Sequence, residues 1–186
     1  MSSEIVEMIS FFQRGSVEKI SFYKVTTPFA EQLKSDPSFD NLQLTGHSLG
    51  GGLAMISSAQ SEIPSVALSG PNAILSGRSF QPKVFPDHLN RYTLNILPDR
   101  DLVPRFDDRA DNIQKIRCKA PDYDFAGCHS CSRSFCEIVY TCGNQNRPAV
   151  CDCVFVYGYD PPVADDANEK RSFAQVCKDS GYVQKK

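Results

Sequence analysis

The stretch Leu42-Gln43-Leu44-Thr45-Gly46-His47-Ser48-Leu49-Gly50-Gly51-Gly52 decides the fold. Leu42 to Thr45 predicts a short buried strand, and the run from Leu53 to Ala59 predicts a helix. The residues between them match the pattern G-x-S-x-G, with Ser48 at the centre. A strand, a tight glycine turn and a helix are the context of a nucleophile elbow, which holds the serine in a strained backbone conformation.

The start of the predicted helix supplies a second chemical group. Leu49 follows Ser48 directly, so its backbone N–H lies at the helix N-terminus and can face a developing oxyanion. We therefore consider Ser48 a candidate nucleophile and Leu49 a candidate oxyanion donor.

Composition bounds the class of protein. The chain has 186 residues, which is enough for one domain with a sizeable core. Its formal net charge of −2 gives no basic surface for nucleic acid, so we expect no nucleic-acid partner. No apolar run approaches the roughly 20 residues of a membrane span. The eight cysteines all lie from Cys118 onward, which is typical of an oxidising compartment.

The order of predicted elements indicates an α/β protein with a mostly parallel sheet. We expect one domain over residues 1–160 and a flexible polar tail over 161–186. Residues 73–90 are expected to be irregular because Pro82 and Pro86 interrupt them. The predicted helices are Glu4–Phe12, Ile20–Leu33 and Ser132–Tyr140, and the further strands are Ser65–Leu68, Tyr92–Leu97, Ile113–Cys118 and Val154–Tyr157.

Function in parallel sheets collects where strands end, and two aspartates follow the strand that ends at Leu97. Asp99 and Asp101 could each orient a histidine, giving the chain order serine, acid, histidine. His129 comes after both and is the leading candidate base, with flanking cysteines that could pin its loop. His88 precedes the acids and is the alternative base, whereas His47 lies inside the elbow and is expected to pack there.

The elbow and the segment Asp101-Leu102-Val103-Pro104 together resemble the fungal-type class 3 lipases. The resemblance implies a partial α/β-hydrolase sheet and makes Asp101, rather than Asp99, the triad acid. The segment Cys128-His129-Ser130 is similar to the cysteine-flanked histidine of disulfide-bearing family members. The implied activity is hydrolysis of acylglycerols or other lipid esters by Ser48, Asp101 and His129, with transient contact at a lipid–water interface and no cofactor or metal.

The chain departs from this family upstream of the elbow. Only 47 residues precede Ser48, whereas family members place several strands, a lid and a second oxyanion donor there. Arg14-Gly15-Ser16 has the letters of that donor, but it lies too close to Ser48 for the intervening helices. We therefore expect an N-terminally truncated member. The full-length form is then expected to be secreted or in the endomembrane or vacuolar lumen, although Met1–Glu7 lacks signal-peptide features.

Two alternatives remain open from the sequence. A short N-terminal region could leave a catalytically incomplete fragment or pseudoenzyme that binds lipid or a protein partner. Alternatively, Cys128-x-x-Cys131 and Cys151-x-Cys153 lie near zinc-ribbon spacing and could form a metal-stabilised interaction module. We favour disulfides, for which eight cysteines allow 105 pairings.

Overall fold

A computed structural model describes residues 22–142, 150–161 and 172–183. The described residues fall into two compact units, one of residues 22–96 with Val103–Gln114 and one of Leu97–Leu102 with the residues from Lys115 onward. The helices are α1 (Tyr23–Ser35), α2 (Leu49–Ser61), α3 (Pro86–Tyr92), α4 (Phe125–Cys128), α5 (Cys131–Cys142), α6 (Cys151–Phe155) and α7 (Phe173–Asp179), and the strands are β1 (Leu44–His47), β2 (Ser65–Leu68), β3 (Thr93–Pro98) and β4 (Ile113–Ile116).

The four strands form one parallel sheet in the order β1-β2-β3-β4. The register pairs Thr45 with Val66, and Val66 in turn with Leu94. On the far side of β3, the N–H of Asp99 donates to the carbonyl of Ile116 over 2.9 Å. The α/β fold with a parallel sheet is therefore confirmed. Among the described strands, β1 lies at one edge of the sheet.

The first unit packs α1 and α2 together through one polar and one apolar set of contacts. Thr27 is buried in α1, and its hydroxyl donates to Gln60 Oε1 over 2.7 Å and to the Ser57 hydroxyl over 3.1 Å. Small residues at the start of α2 let this helix approach the sheet closely. The apolar core of this unit comprises Tyr23, Met55, Ile56, Ala59, Ala67, Ala73, Val84, Leu89 and Ala110.

The second unit is held largely by disulfides. The bridges are Cys118–Cys128, Cys136–Cys153 and Cys151–Cys177, and they confirm a cysteine-rich C-terminal section. The Cys136–Cys153 bridge packs with Tyr159 in a small buried core. Buried Glu137 accepts hydrogen bonds from the hydroxyls of Tyr159 and Thr141. Burial, together with the hydrogen bond to Glu137 and the charge of that carboxylate, raises the pKa of Tyr159 above its ordinary value.

Several predicted elements differ from those observed. The predicted strand Val154–Tyr157 is wrong, because residues 151–155 form α6, whose Cys153 is bridged to Cys136 in the small core. The predicted irregular region contains α3, which begins at Pro86, where a proline fits the first helical turn. Conversely, β2 has the predicted bounds, and the helix predicted to end at Leu33 is α1.

The ends of the chain are described in part. The predicted helix Glu4–Phe12 and the segment Arg14-Gly15-Ser16 lie outside the described residues. In the region expected to be a polar tail, residues 172–183 contain α7, whose Ser172 hydroxyl accepts a hydrogen bond from the Gln175 N–H. Cys177 joins α7 to Cys151, so these twelve residues differ from the loose tail predicted by composition.

Candidate active site

Ser48 lies between β1 and α2 in a backbone conformation that residues other than glycine rarely adopt. Its φ is 57° and its ψ is −126°, a positive-φ state that L-residues avoid on steric grounds. The Ser48 N–H donates to the Leu68 carbonyl over 3.0 Å, and its carbonyl accepts the Gly52 N–H over 3.1 Å. The hydrogen bonds to Leu68 and Gly52 thus hold the backbone of Ser48 in a strained strand-to-helix turn.

The glycines around Ser48 differ in how much space a side chain would have. A Cβ at Gly46 would overlap the carbonyl of Gly50, so the turn closes only without a side chain at position 46. At Gly51, a Cβ would come within 3.0 Å of the Gly70 Cα, which packs against the start of α2. A Cβ at Gly50 would meet nothing within 4 Å. Close backbone approach therefore requires glycine at 46 and 51, whereas the space at 50 is open.

Asn95 supports the elbow from β3, which is separated from β1 by β2. This side chain in β3 is fully buried and pairs with the backbone of Gly70 in both directions. Its Nδ2 donates to the Gly70 carbonyl over 2.8 Å, and its Oδ1 accepts the Gly70 N–H over 3.2 Å. Gly70 is the residue that packs on Gly51, so Asn95 fixes the surface against which the elbow helix lies. The sequence pattern did not mark Asn95 as functional.

Leu49 is the first residue of α2. The N–H groups of a first helical turn have no acceptor within their own helix, and the helix dipole adds partial positive charge there. The Leu49 N–H therefore has the position that the sequence predicted for an oxyanion donor.

The second unit holds an acid–imidazole pair. Asp101 follows β3 by three residues, and its side chain is fully buried, whereas that of His129 is 19% exposed. The carboxylate oxygens Oδ1 and Oδ2 lie 3.1 Å and 3.0 Å from Nδ1 of His129. A carboxylate can accept a hydrogen bond at that distance when Nδ1 carries a proton, and Nε2 is then the ring nitrogen not used by the acid.

His129 is placed by a short helix and a disulfide. It directly follows α4 as the C-terminal cap residue, and its N–H donates to the Ala126 carbonyl over 3.0 Å. The Asp124 carboxylate caps the other end of α4 by accepting the Gly127 N–H over 2.7 Å. Cys128, adjacent to His129, is bridged to Cys118, two residues after β4, whereas the other flanking cysteine, Cys131, is a free thiol.

Arg100 connects the acid loop to the segment that leads to His129. Its φ is 67°, a left-handed conformation that turns the chain immediately before Asp101. Nη2 donates to the carbonyls of Cys118 and Ala120 over 2.8 Å each. Nη1 donates to the Pro121 carbonyl over 2.8 Å and pairs with Asp122 at 3.1 Å. Sequence analysis missed this role, since nothing in the pattern Asp99-Arg100-Asp101 signals contacts about twenty residues away.

The structure brings two of the three predicted catalytic side chains together. Asp101 and His129 form one pair in the second unit, while Ser48 lies in the first unit. Asp99 is exposed, and it is Asp101 that contacts the histidine. His88, the alternative base, lies in α3 with Nδ1 at 2.9 Å from the Ala59 carbonyl, as part of the packing of the first unit.

The zinc alternative lacks its ligands. Cys128, Cys151 and Cys153, which the zinc spacing requires as thiolates, are all in disulfides. Within the described ranges, no group of three or more histidine, cysteine or acidic side chains is arranged to hold a metal ion. In the same part of the chain, no helix has the length and apolarity needed to cross a membrane.

Comparison with known proteins leaves the family unassigned. No protein-family model matches the chain, and no curated protein matches it. Fold and bonding define the class instead, namely an α/β protein with a four-stranded parallel sheet and a disulfide-rich C-terminal part. Three disulfides are typical of an extracellular or luminal protein.

Proposed function

We propose that this chain is a serine ester hydrolase of the class 3 lipase type that cleaves acylglycerols or other lipid esters. The observation that carries the proposal is the strained backbone of Ser48, with φ of 57°, at a strand-to-helix junction. Strain of this kind persists where the surrounding structure over-determines it, and it clusters at sites that present a reactive side chain.

Each residue has a distinct chemical role in the proposed reaction. The Ser48 hydroxyl attacks the acyl carbonyl carbon while Nε2 of His129 takes its proton. Asp101 holds the imidazole in the required tautomer and stabilises its charged form. The Leu49 N–H donates to the oxyanion of the tetrahedral intermediate. His129 then returns the proton to the leaving alcohol, and water hydrolyses the acyl-enzyme by the same path.

Strand topology supports assigning Ser48 and Asp101 to the same proposed reaction. Ser48 follows the carboxyl end of β1, and Asp101 follows the carboxyl end of β3 by three residues. These strands are parallel through β2, and side chains that follow parallel strands collect at one edge of a sheet. The chain order serine, acid, histidine is that of α/β-hydrolases.

The substrate and setting follow from the same resemblance. A lipid ester is presented at a lipid–water interface, so transient contact of the enzyme with that interface is part of the proposal. The resemblance implies a secreted, endomembrane or vacuolar-lumen setting, which agrees with the three disulfides. Proton transfer and acyl transfer in this scheme are carried by side chains and one backbone N–H.

A fluorophosphonate probe tests the proposal, because it labels serine nucleophiles that are activated by a base. We expect labelling of the wild-type protein and its loss in Ser48→Ala. Ser79→Ala is the matched control, since Ser79 is an exposed serine of the same unit, and it should label like wild type. Labelling that survives Ser48→Ala would contradict the proposal.

The second candidate function is a catalytically incomplete protein that binds lipid or a protein partner. The position of β1 favours it, because the strand that leads to Ser48 lies at an edge of the described sheet. A missing oxyanion donor would cost about 2.7–4 kcal/mol of transition-state stabilisation. Hydrolysis of p-nitrophenyl butyrate by folded protein, at a rate that Ser48→Ala abolishes, would exclude this candidate.

A further inference from the structure

Two thiols in the second unit take no part in its disulfides. Cys131 and Cys142 are free and exposed, and they are the first and last residues of α5. Eleven positions along a helix correspond to about 16 Å. A disulfide needs Cα atoms within about 7 Å. The two thiols therefore cannot pair with each other while α5 is intact.

The two cysteines belong to one stripe of the helix surface. At about 100° per residue, Cys131, Phe135, Ile138 and Cys142 lie within a sector of about 60°. Phe135 is 43% exposed although it is a large apolar side chain, and Ile138 is half-buried. The buried residues of α5 (Ser134, Cys136 and Glu137) lie outside this sector. We call these four residues the thiol stripe.

The charged side chains of α5 are directed elsewhere. Nη1 of Arg133 donates to the Lys119 carbonyl over 2.7 Å, and its guanidinium lies 4.7 Å from the ring centroid of Tyr157. Glu137 is buried and accepts the hydroxyl of Tyr159. The thiol stripe itself is uncharged, so two copies of it meet without like-charge repulsion.

We propose that two copies of this chain pair through antiparallel α5 helices and are joined by two symmetric disulfides. The stripe has the spacing four, three, four residues, which is the same in both directions along the helix. In an antiparallel pair, each Cys131 therefore faces Cys142 of the second copy. Each Phe135 likewise faces Ile138 of the second copy. Such a contact is isologous, as a twofold dimer requires.

The covalent step is an ordinary thiol–disulfide exchange. A thiolate of Cys131 attacks a small disulfide such as oxidised glutathione and releases one reduced glutathione. The Cys142 thiolate of the second copy then attacks this mixed disulfide and releases the second glutathione. Each link thus removes two protons and two electrons from two thiols and reduces one small disulfide to two thiols. Four stripe residues cover far less than the roughly 800 Å² per partner of a standard interface, so the covalent links hold the pair together.

The test uses the full chain, produced under oxidising conditions with reduced and oxidised glutathione. We mix nitrogen-15-labelled and unlabelled protein, and we then run non-reducing gels and map disulfide peptides. We expect a covalent dimer that dithiothreitol separates, with the Cys131 peptide of one isotope joined to the Cys142 peptide of the other. A like-to-like link between two Cys131 peptides, or Cys131–Cys142 links of which none joins the two isotopes, would overturn the proposal.

Single variants distinguish this register from accidental oxidation of exposed thiols. Cys131→Ser and Cys142→Ser should each abolish the covalent dimer, because the remaining thiol then faces a serine. Phe135→Asp keeps both thiols but should slow dimer formation by at least about tenfold, since it removes apolar area from the contact. All three sites are exposed, so we expect each variant to fold. Thermal melting curves that match the wild-type curve would verify the fold. Wild-type protein that stays monomeric with two free thiols, or a covalent dimer that persists in Cys142→Ser, contradicts the proposal.

Discussion

The carboxylate of Asp101 contacts the imidazole of His129 through both oxygens, at 3.0 Å and 3.1 Å from Nδ1. The two residues are 28 positions apart in the sequence, and the acid is completely buried while the ring is 19% exposed. A buried carboxylate fixes the tautomer and orientation of the ring, and it leaves the basic nitrogen on the opposite side. We therefore expect the pair to support the proton transfer proposed for His129.

Replacing the acid should remove activity but keep the fold. In Asp101→Asn the amide no longer stabilises the protonated ring and favours the wrong tautomer, so we expect hydrolysis of p-nitrophenyl butyrate to fall about 10⁴-fold. Asp99→Asn is the matched control, because Asp99 is exposed two residues earlier, and it should retain nearly full activity. Equal losses in the two variants would show that Asp101 has no special role.

The two glycines that flank Ser48 in the motif should respond oppositely to alanine. Gly46→Ala places a methyl group on the Gly50 carbonyl, and we expect a loss of about 1–3 kcal/mol or more in the free energy of unfolding. Gly50→Ala adds a methyl group in open space in the first turn of α2, and we expect a gain of about 0.5–1 kcal/mol. Urea titrations measure both values. A larger loss for Gly50→Ala would refute this account of the turn.

Arg100 should stabilise the loop that carries His129. Arg100→Met keeps much of the side-chain volume but leaves the carbonyls of Cys118 and Ala120 without this donor. Hydrogen bonds to charged groups contribute about 1.5–3 kcal/mol each, so we expect the free energy of unfolding to fall by about 2 kcal/mol or more. The esterase rate should fall as well. Arg109→Met, at an exposed arginine, is the control and should change neither quantity.

Asp107 should make stability depend on acid pH. Burial raises its pKa, but hydrogen bonds from the Ser76 hydroxyl and from the N–H groups of Leu75, Ser76 and Asp108 outweigh this effect, so its pKa lies below the ordinary value. A lowered folded-state pKa stabilises the protein above the unfolded value of about 3.9, and that stability is lost as pH falls through the folded value.

The matching variant is Asp107→Asn, since asparagine tolerates the φ of 66° at this position. It should be less stable than wild type at neutral pH, and the difference should narrow as pH falls below about 3.9. Urea unfolding at several pH values tests this. A difference that stays constant down to the acid range would mean that the carboxylate charge contributes nothing.

Elements of the first unit could be predicted from the sequence where turn residues and apolar runs indicate the same boundaries. The strand Ser65–Leu68 has the predicted bounds because Pro64 and Gly70 punctuate a short apolar run. A tight turn at Gly46–Ser48 was predictable because these residues carry the constraint locally, and Ser48 has a positive φ of 57° there.

The structure of the second unit was harder to predict because contacts between residues far apart in the sequence determine it. The predicted strand Val154–Tyr157 overlaps a short helix of residues 151–155, and Cys151 and Cys153 of this helix are bridged to Cys177 and Cys136. Disulfide pairing cannot be derived from spacing alone. The contacts of Arg100 and Asn95 also join segments about 20 residues apart or more, and no local pattern encodes such pairs.

The most direct measurement traps the acyl group on the protein. Wild-type protein is mixed with p-nitrophenyl butyrate and quenched in acid within the first expected turnover, and its peptides are mapped by mass spectrometry. We predict a butyryl group on Ser48, which disappears in His129→Ala, since the serine then lacks its base. Hydrolysis that proceeds with Ser48 unmodified and the acyl group on another residue would contradict the proposed function.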